Sequence, residues 1–142
     1  MGDAKVIWKS NLQFEGSAKS GFNIPLDTSL SDGGGNGFSP MELLLVGLAG
    51  CTGMDVISIL RKKQQDITAF EVAVHGDRAA DHPHIYTHIT VEYLLTGRNI
   101  NLAAVDRAIE LSETKYCSVH AMLSKAAVID HLVSIKEPLE EN

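Results

Sequence analysis

The sequence is poor in cysteine, tryptophan and basic residues. Cys51 and Cys117 are its only cysteines in 142 residues, Trp8 is its one tryptophan, and 12 Lys and Arg face 18 Asp and Glu, a formal charge of −6. Nucleic-acid affinity rests on basic contacts to phosphate, so this balance argues against a nucleic-acid partner. It argues equally against an anionic membrane surface. No long apolar run is present: residues 43–51 form the longest nearly apolar stretch, nine positions against the roughly 20 needed to span a bilayer. The start, Met1-Gly2-Asp3-Ala4-Lys5-Val6, lacks the basic-then-apolar layout of a signal peptide, and Val6 stands where N-myristoylation wants Ser or Thr. The cytoplasm is the expected compartment, where a pair of cysteines is reduced or catalytic rather than a structural crosslink.

What is present reads as an ordinary globular chain, with 44% apolar and 21% charged residues. The expectation is one domain over residues 1–142, able to bury about 70% of its unfolded surface. Residues 4–8, 12–17 and 22–26 read as three short strands separated by polar or glycine turns. Residues 28–37 are expected to be a flexible glycine-rich loop. This loop lacks Gly-Lys-Ser/Thr and fails G-x-G-x-x-G, so it does not imply a nucleotide cofactor.

A helix start follows. Ser39 suits the N-cap, Pro40 the first helical position, and Glu42, three residues after Ser39, completes a capping box. From Leu43 to Ala49 nearly every side is apolar, so a central helix buried all round is expected. Gly47, Gly50 and Gly53 weaken it by roughly 1 kcal/mol each, and in a buried helix such glycines commonly admit another backbone. Residues 70–75 and 85–95 alternate at period two and read as an antiparallel hairpin, with Ile85, Thr87, Ile89, Val91 and Tyr93 on one face. Asn101 is placed to cap a helix reaching Tyr116-Cys117. A helical segment at 118–127, a last strand at 128–135 and an acidic tail at 137–142 complete the chain. The fold class is α+β rather than the regular βαβα alternation of a parallel sheet.

Each cysteine has two readings. A buried Cys is often only a small hydrophobe. Gly50-Cys51-Thr52-Gly53, however, breaks helix propensity, so a new helix starting there would put the sulfur at a positive helix end. Cys117 likewise precedes a plausible helix start at Ser118-Val119. Either position would lower the thiol pKa and point to redox work. His120, three residues after Cys117, is close enough along a helix to tune that thiol, or it occupies the core or surface. His82, His84 and His88 would share one face of a strand beginning near His82, a geometry a metal tolerates. Pro83 disturbs it and no fourth ligand is at hand, so they read as solvated or structural histidines. No metal or cofactor is expected. Trp8, Phe70, Tyr86 and Tyr93 read as core or interface residues.

Ser39-Pro40-Met41-Glu42-Leu43-Leu44-Leu45-Val46-Gly47-Leu48-Ala49-Gly50-Cys51 resembles the central-helix motif of the OsmC/Ohr family of osmotically induced and organic-hydroperoxide-resistance proteins, in which a reactive Cys stands eleven residues after a Pro. Glu113-Thr114-Lys115-Tyr116-Cys117-Ser118-Val119 resembles its second motif, and His82-Pro83 with the following strand resembles its intervening hairpin. The resemblance spans about residues 4–135. It implies an OsmC-like fold, an intertwined homodimer sharing its central helices, and thiol-dependent reduction of organic or fatty-acyl hydroperoxides. Cys51 would be the peroxidatic thiol and Cys117 the resolving one, with an external dithiol as reductant. An apolar substrate would meet Leu44, Leu45, Leu48 and Met54. Family peroxidases carry a Glu directly after the motif Pro, where Met41 stands here, and an Arg before the central helix, where residues 22–27 have none. Lys19 brings a charge there without the bidentate fork of Arg. Turnover is therefore expected to be slow. The alternative is a non-enzymatic binding protein for an apolar or acyl ligand on the same fold.

Overall fold

The computed structural model describes residues 2–139 and falls into two compact units that divide between residues 44 and 45. Positions 140–142 of the expected acidic tail lie outside the described residues.

In the first unit, β1 (Ala4–Ser10), β2 (Gln13–Ala18) and β3 (Asn23–Leu26) form an antiparallel meander in the order β1-β2-β3. Asn11 and Gly21 make its two turns at positive φ, a conformation open to glycine and tolerated by Asn. Within the 28–37 segment, a short 3-10 turn covers Leu30–Asp32. The buried Asp27 carboxylate accepts N–H groups from Thr28 and Asn36. The Thr28 N–H is the main reason that this carboxyl is held below its usual range. The capping box forms as expected. Ser39 N donates to Glu42 Oε1 at 2.7 Å, and Glu42 N donates to Ser39 Oγ at 3.4 Å.

α1 runs unbroken over Pro40–Lys62. The helix break expected at Gly50 to Gly53 does not occur, so Cys51 lies inside a helix and not at a helix end. By length and composition α1 is long and apolar enough to cross a membrane, which the nine-residue run did not convey. It is also not buried all round. Leu48, Thr52, Val56 and Leu60, spaced by four, form one sequestered row, while Val46, Gly50 and Met54 lie on the opposite, exposed side. A Cβ built on Gly47 or Gly50 meets nothing within 4 Å, so among the described residues no backbone uses those glycines for a close approach.

In the second unit, β4 (Asp66–Arg78) and β5 (Tyr86–Arg98) form a long antiparallel hairpin, and β6 (Val128–Lys136) joins β5 in parallel. β5 is therefore central, and Ile89, Val91, Tyr93 and Leu95 are fully buried along one face. The expected alternation fails at one end. The ladder skips Thr87 at a bulge, so Tyr86 turns inward while Thr87 and Ile85 are exposed. Gly76 is needed beneath Tyr86, because a Cβ there would come within 2.6 Å of its ring.

Parallel pairing of β5 with β6 requires a long crossover. α2 (Leu102–Leu111), a π turn (Ser112–Tyr116) and α3 (Ser118–Leu123) supply it. Asn101 caps α2 as its sequence suggested, accepting from Ala103 N and Ala104 N. Ala104, Val105, Ala108 and Ile109 are its core-facing residues.

Candidate functional site

Cys51 and Asp55 are one turn apart on α1, on the edge of its buried row, so their side chains share a face. Cys117 comes from the crossover. Its N–H reaches back to the Ser112 carbonyl at 2.8 Å, closing the π turn, and its own extended backbone then begins α3. π turns inside helices commonly mark functional positions because they redirect side chains. Here the redirection brings the Cys117 sulfur, the Cys51 sulfur and an Asp55 carboxylate oxygen within 4.8 Å of one another. Both thiols are free. The structure thus brings the two cysteines together and adds Asp55, which the sequence reading did not single out. Its spacing of four after Cys51 is the signal that could have found it.

Behind the cluster runs a buried chain of hydroxyls. Ser112 Oγ donates to Asp55 Oδ2 at 3.0 Å, Thr52 Oγ1 lies 2.9 Å from Ser112 Oγ, and Tyr93 OH lies 2.7 Å from Thr52 Oγ1. Because Ser112 spends its proton on the carboxylate, Thr52 must donate to Ser112 and Tyr93 to Thr52. Burial pushes the Tyr93 phenol up to about 12, against the opposing Thr52 bond.

Cys117 does take the N-cap position, with its sulfur accepting the His120 N–H at 3.3 Å. The expected lowering of its pKa does not follow. Only 3% of Cys117 is exposed, and burial, followed by its contact with Cys51, raises the thiol to about 12. One N–H of a short helix does not offset that desolvation. Cys117 therefore stands as a protonated thiol.

Other residues flagged by sequence fall elsewhere. His88 is not grouped with His82 and His84; its Nε2 lies 2.6 Å from Asp130 Oδ2, which is the main cause of its raised pKa. His82 and His84 pack ring on ring with centroids 4.0 Å apart. The His120 ring Nε2 is buried without a hydrogen-bond partner. Leu48 is consumed by the core, whereas Leu44 and Met54 are exposed. Trp8 is largely exposed and donates to the Asn11 carbonyl.

Similarity to known proteins agrees with this architecture. The family profile described as OsmC-like protein matches residues 33–131. Protein YhfA of Escherichia coli (strain K12) is 42% identical over 128 residues, covering 90% of this chain and 93% of that protein. A crystal structure of a protein from Aquifex aeolicus VF5 superposes with a TM-score of 0.84 at 31% identity, covering 98% of both chains. An organic hydroperoxide resistance protein OsmC from Legionella pneumophila shares the fold, with a TM-score of 0.71 at 14% identity over 92% of this chain and 94% of its own. By profile, sequence relative and fold alike, the chain belongs to the OsmC-like protein family.

Proposed function

We propose that this protein reduces organic or fatty-acyl hydroperoxides, with Cys51 as the attacking thiol and Cys117 as the resolving one. One observation carries the reading: two free sulfurs, far apart in sequence, converge to within 4.8 Å beside a carboxylate. Cys51 is half-buried and Cys117 almost fully buried, so a substrate arriving from solvent meets Cys51 first. The fold is also that of the Legionella pneumophila protein whose name records organic hydroperoxide resistance.

In the first step Cys51 passes its proton to the Asp55 carboxylate, and the thiolate attacks the distal peroxide oxygen. An S–O bond forms as the O–O bond breaks, and the departing alkoxide takes up the proton to leave as the alcohol. Cys51 is oxidised by two electrons to a sulfenic acid. Cys117 then attacks that sulfur. The S–S bond forms, the S–O bond breaks, and the hydroxyl departs with the Cys117 proton as water. An external dithiol reduces the disulfide by exchange and leaves as its own disulfide. A cytoplasmic setting supplies such reductants. The reading includes a homodimer in which a second copy covers the exposed apolar side of α1.

The test is a thiol count before and after one equivalent of cumene hydroperoxide. Two thiols per chain are expected to disappear. Cys117→Ser should instead leave a sulfenic acid at Cys51 that dimedone traps. Unchanged thiols sink the proposal. The alternative, an apolar-ligand carrier, draws on one feature of the first unit: a 570 Å³ groove lined by Val6, Phe22, Ile24 and Leu26. Binding of a fluorescent fatty acid with no thiol consumed would select it.

A further inference from the structure

The same three donors have a second chemistry that needs no peroxide. We propose that Cys51, Asp55 and Cys117 form a binding site for a divalent cation of the zinc class. Two sulfurs and one carboxylate oxygen lie within 4.8 Å of one another, and each thiol that ligates the cation gives up its proton to solvent as the metal–sulfur bond forms. Around a tetrahedral zinc ion, with bonds of about 2.3 Å to sulfur and about 2.1 Å to oxygen, such donors sit about 3.5–3.8 Å apart. The cluster reaches that spacing by contracting by at most about 1.3 Å.

The surroundings fit a metal site as well as the donors do. Ligating groups are normally held by hydrogen bonds from behind, which fix their orientation. Ser112 fixes Asp55 Oδ2 from the buried side, with Thr52 and Tyr93 in line behind it, and the His120 N–H fixes the Cys117 sulfur. Among the described residues no Lys, Arg or His is ion-paired with Asp55, so the carboxylate has no competing cation. Sulfur donors select zinc or cadmium over magnesium or calcium. Three protein ligands leave a fourth position for water, and Cys51 and Asp55 keep partial access to solvent. His88, committed to Asp130, plays no part.

A sulfur that ligates the cation is not available for a disulfide, so metal occupancy and oxidation exclude each other. The proposal does not depend on hydroperoxide turnover, and its readout is separate. Fully reduced, oxygen-free protein is titrated with Cd²⁺, following the ultraviolet sulfur-to-cadmium charge-transfer band, and then challenged with Zn²⁺. One Cd²⁺ per chain is expected, displaced by Zn²⁺ and not by Mg²⁺. Asp55→Asn should weaken binding at least tenfold while both thiols remain, and Ser112→Ala should weaken it roughly 10- to 100-fold through loss of orientation. Should Asp55→Asn fail to fold by circular dichroism, Cys51→Ala decides instead, with a loss of at least tenfold expected. No charge-transfer band at micromolar Cd²⁺ overturns the site. Parent affinity in the folded Asp55→Asn protein also overturns it, since a simple dithiol chelate would then suffice. Peroxide assays run in chelator report on the proposed function independently.

Discussion

The Ser112 hydroxyl donates to Asp55 Oδ2 across 57 positions of sequence, joining the π turn to the helix that carries Cys51. That bond orients everything around it. A carboxylate only accepts, so the proton order runs from Tyr93 through Thr52 and Ser112 to Asp55 without ambiguity. It also holds the turn that delivers Cys117 against the helix face where Cys51 waits.

Ser112→Ala should therefore destabilise the protein by about 1–3 kcal/mol, because it takes a partner from the buried Thr52 hydroxyl and from the half-buried Asp55 carboxylate at once. Tyr93→Phe removes only the terminal donor and should cost less, about 1 kcal/mol. Urea unfolding of both single variants and the double variant checks the chain. The two costs should be non-additive, and simple additivity would show that the hydroxyls do not act together.

High pH provides a second test. The Tyr93 phenol is raised from 10 to about 12 in the folded protein, so between those values the unfolded chain releases a proton that the native state keeps. Stability from this group is complete below pH 10 and is lost as pH rises toward 12. Unfolding midpoints should fall over that window, and fall less steeply in Tyr93→Phe. Cys117, raised from 9 to about 12, acts in the same direction, so the comparison is best made in a Cys117→Ser background.

The order of the thiols is open to chemical labelling. Cys51 is partly accessible, whereas Cys117 is buried and keeps its proton. Iodoacetamide reacts with thiolate, so at neutral pH Cys51 should be alkylated well before Cys117, with peptide mass spectrometry as the readout. First labelling at Cys117 would reverse the proposed roles.

These features were unequally visible in the sequence. Caps were legible because they are local: Ser39 with Glu42, and Asn101 with Ala103 and Ala104, are satisfied within three residues. The inward face of β5 was legible from Ile89 onward and failed where the bulge at Thr87 shifted the alternation by one. Glycine propensity misled at Gly50 and Gly53, because tertiary packing of Leu48, Thr52 and Val56 carries the helix through them. The family motifs marked both cysteines. The hydroxyl chain behind them was invisible, since its members are 41 to 60 positions apart and nothing in Thr52 or Ser112 alone signals a partner. The thiol environment was misjudged for a related reason: a helix start is local, but the burial that outweighs it comes from the whole crossover.

The exposed row on α1 gives the last prediction. Val46 is 53% exposed and Met54 73%, with Gly50 between them, an expensive arrangement for an apolar helix left in water. Among the described residues of one chain Gly50→Ala meets no obstacle, and alanine's better helix propensity alone would stabilise the protein by about 1 kcal/mol. A second copy seated on this row would reverse that sign by clashing with the new methyl group. We expect light scattering to give about twice the 15.3 kDa chain mass. Met54→Glu should then shift the particle toward the single-chain mass, and Gly50→Ala should weaken association instead of raising stability. A parent protein that scatters as one chain at micromolar concentration, together with a stabilised Gly50→Ala variant, would mean that this face of α1 meets solvent and that the homodimer must be abandoned.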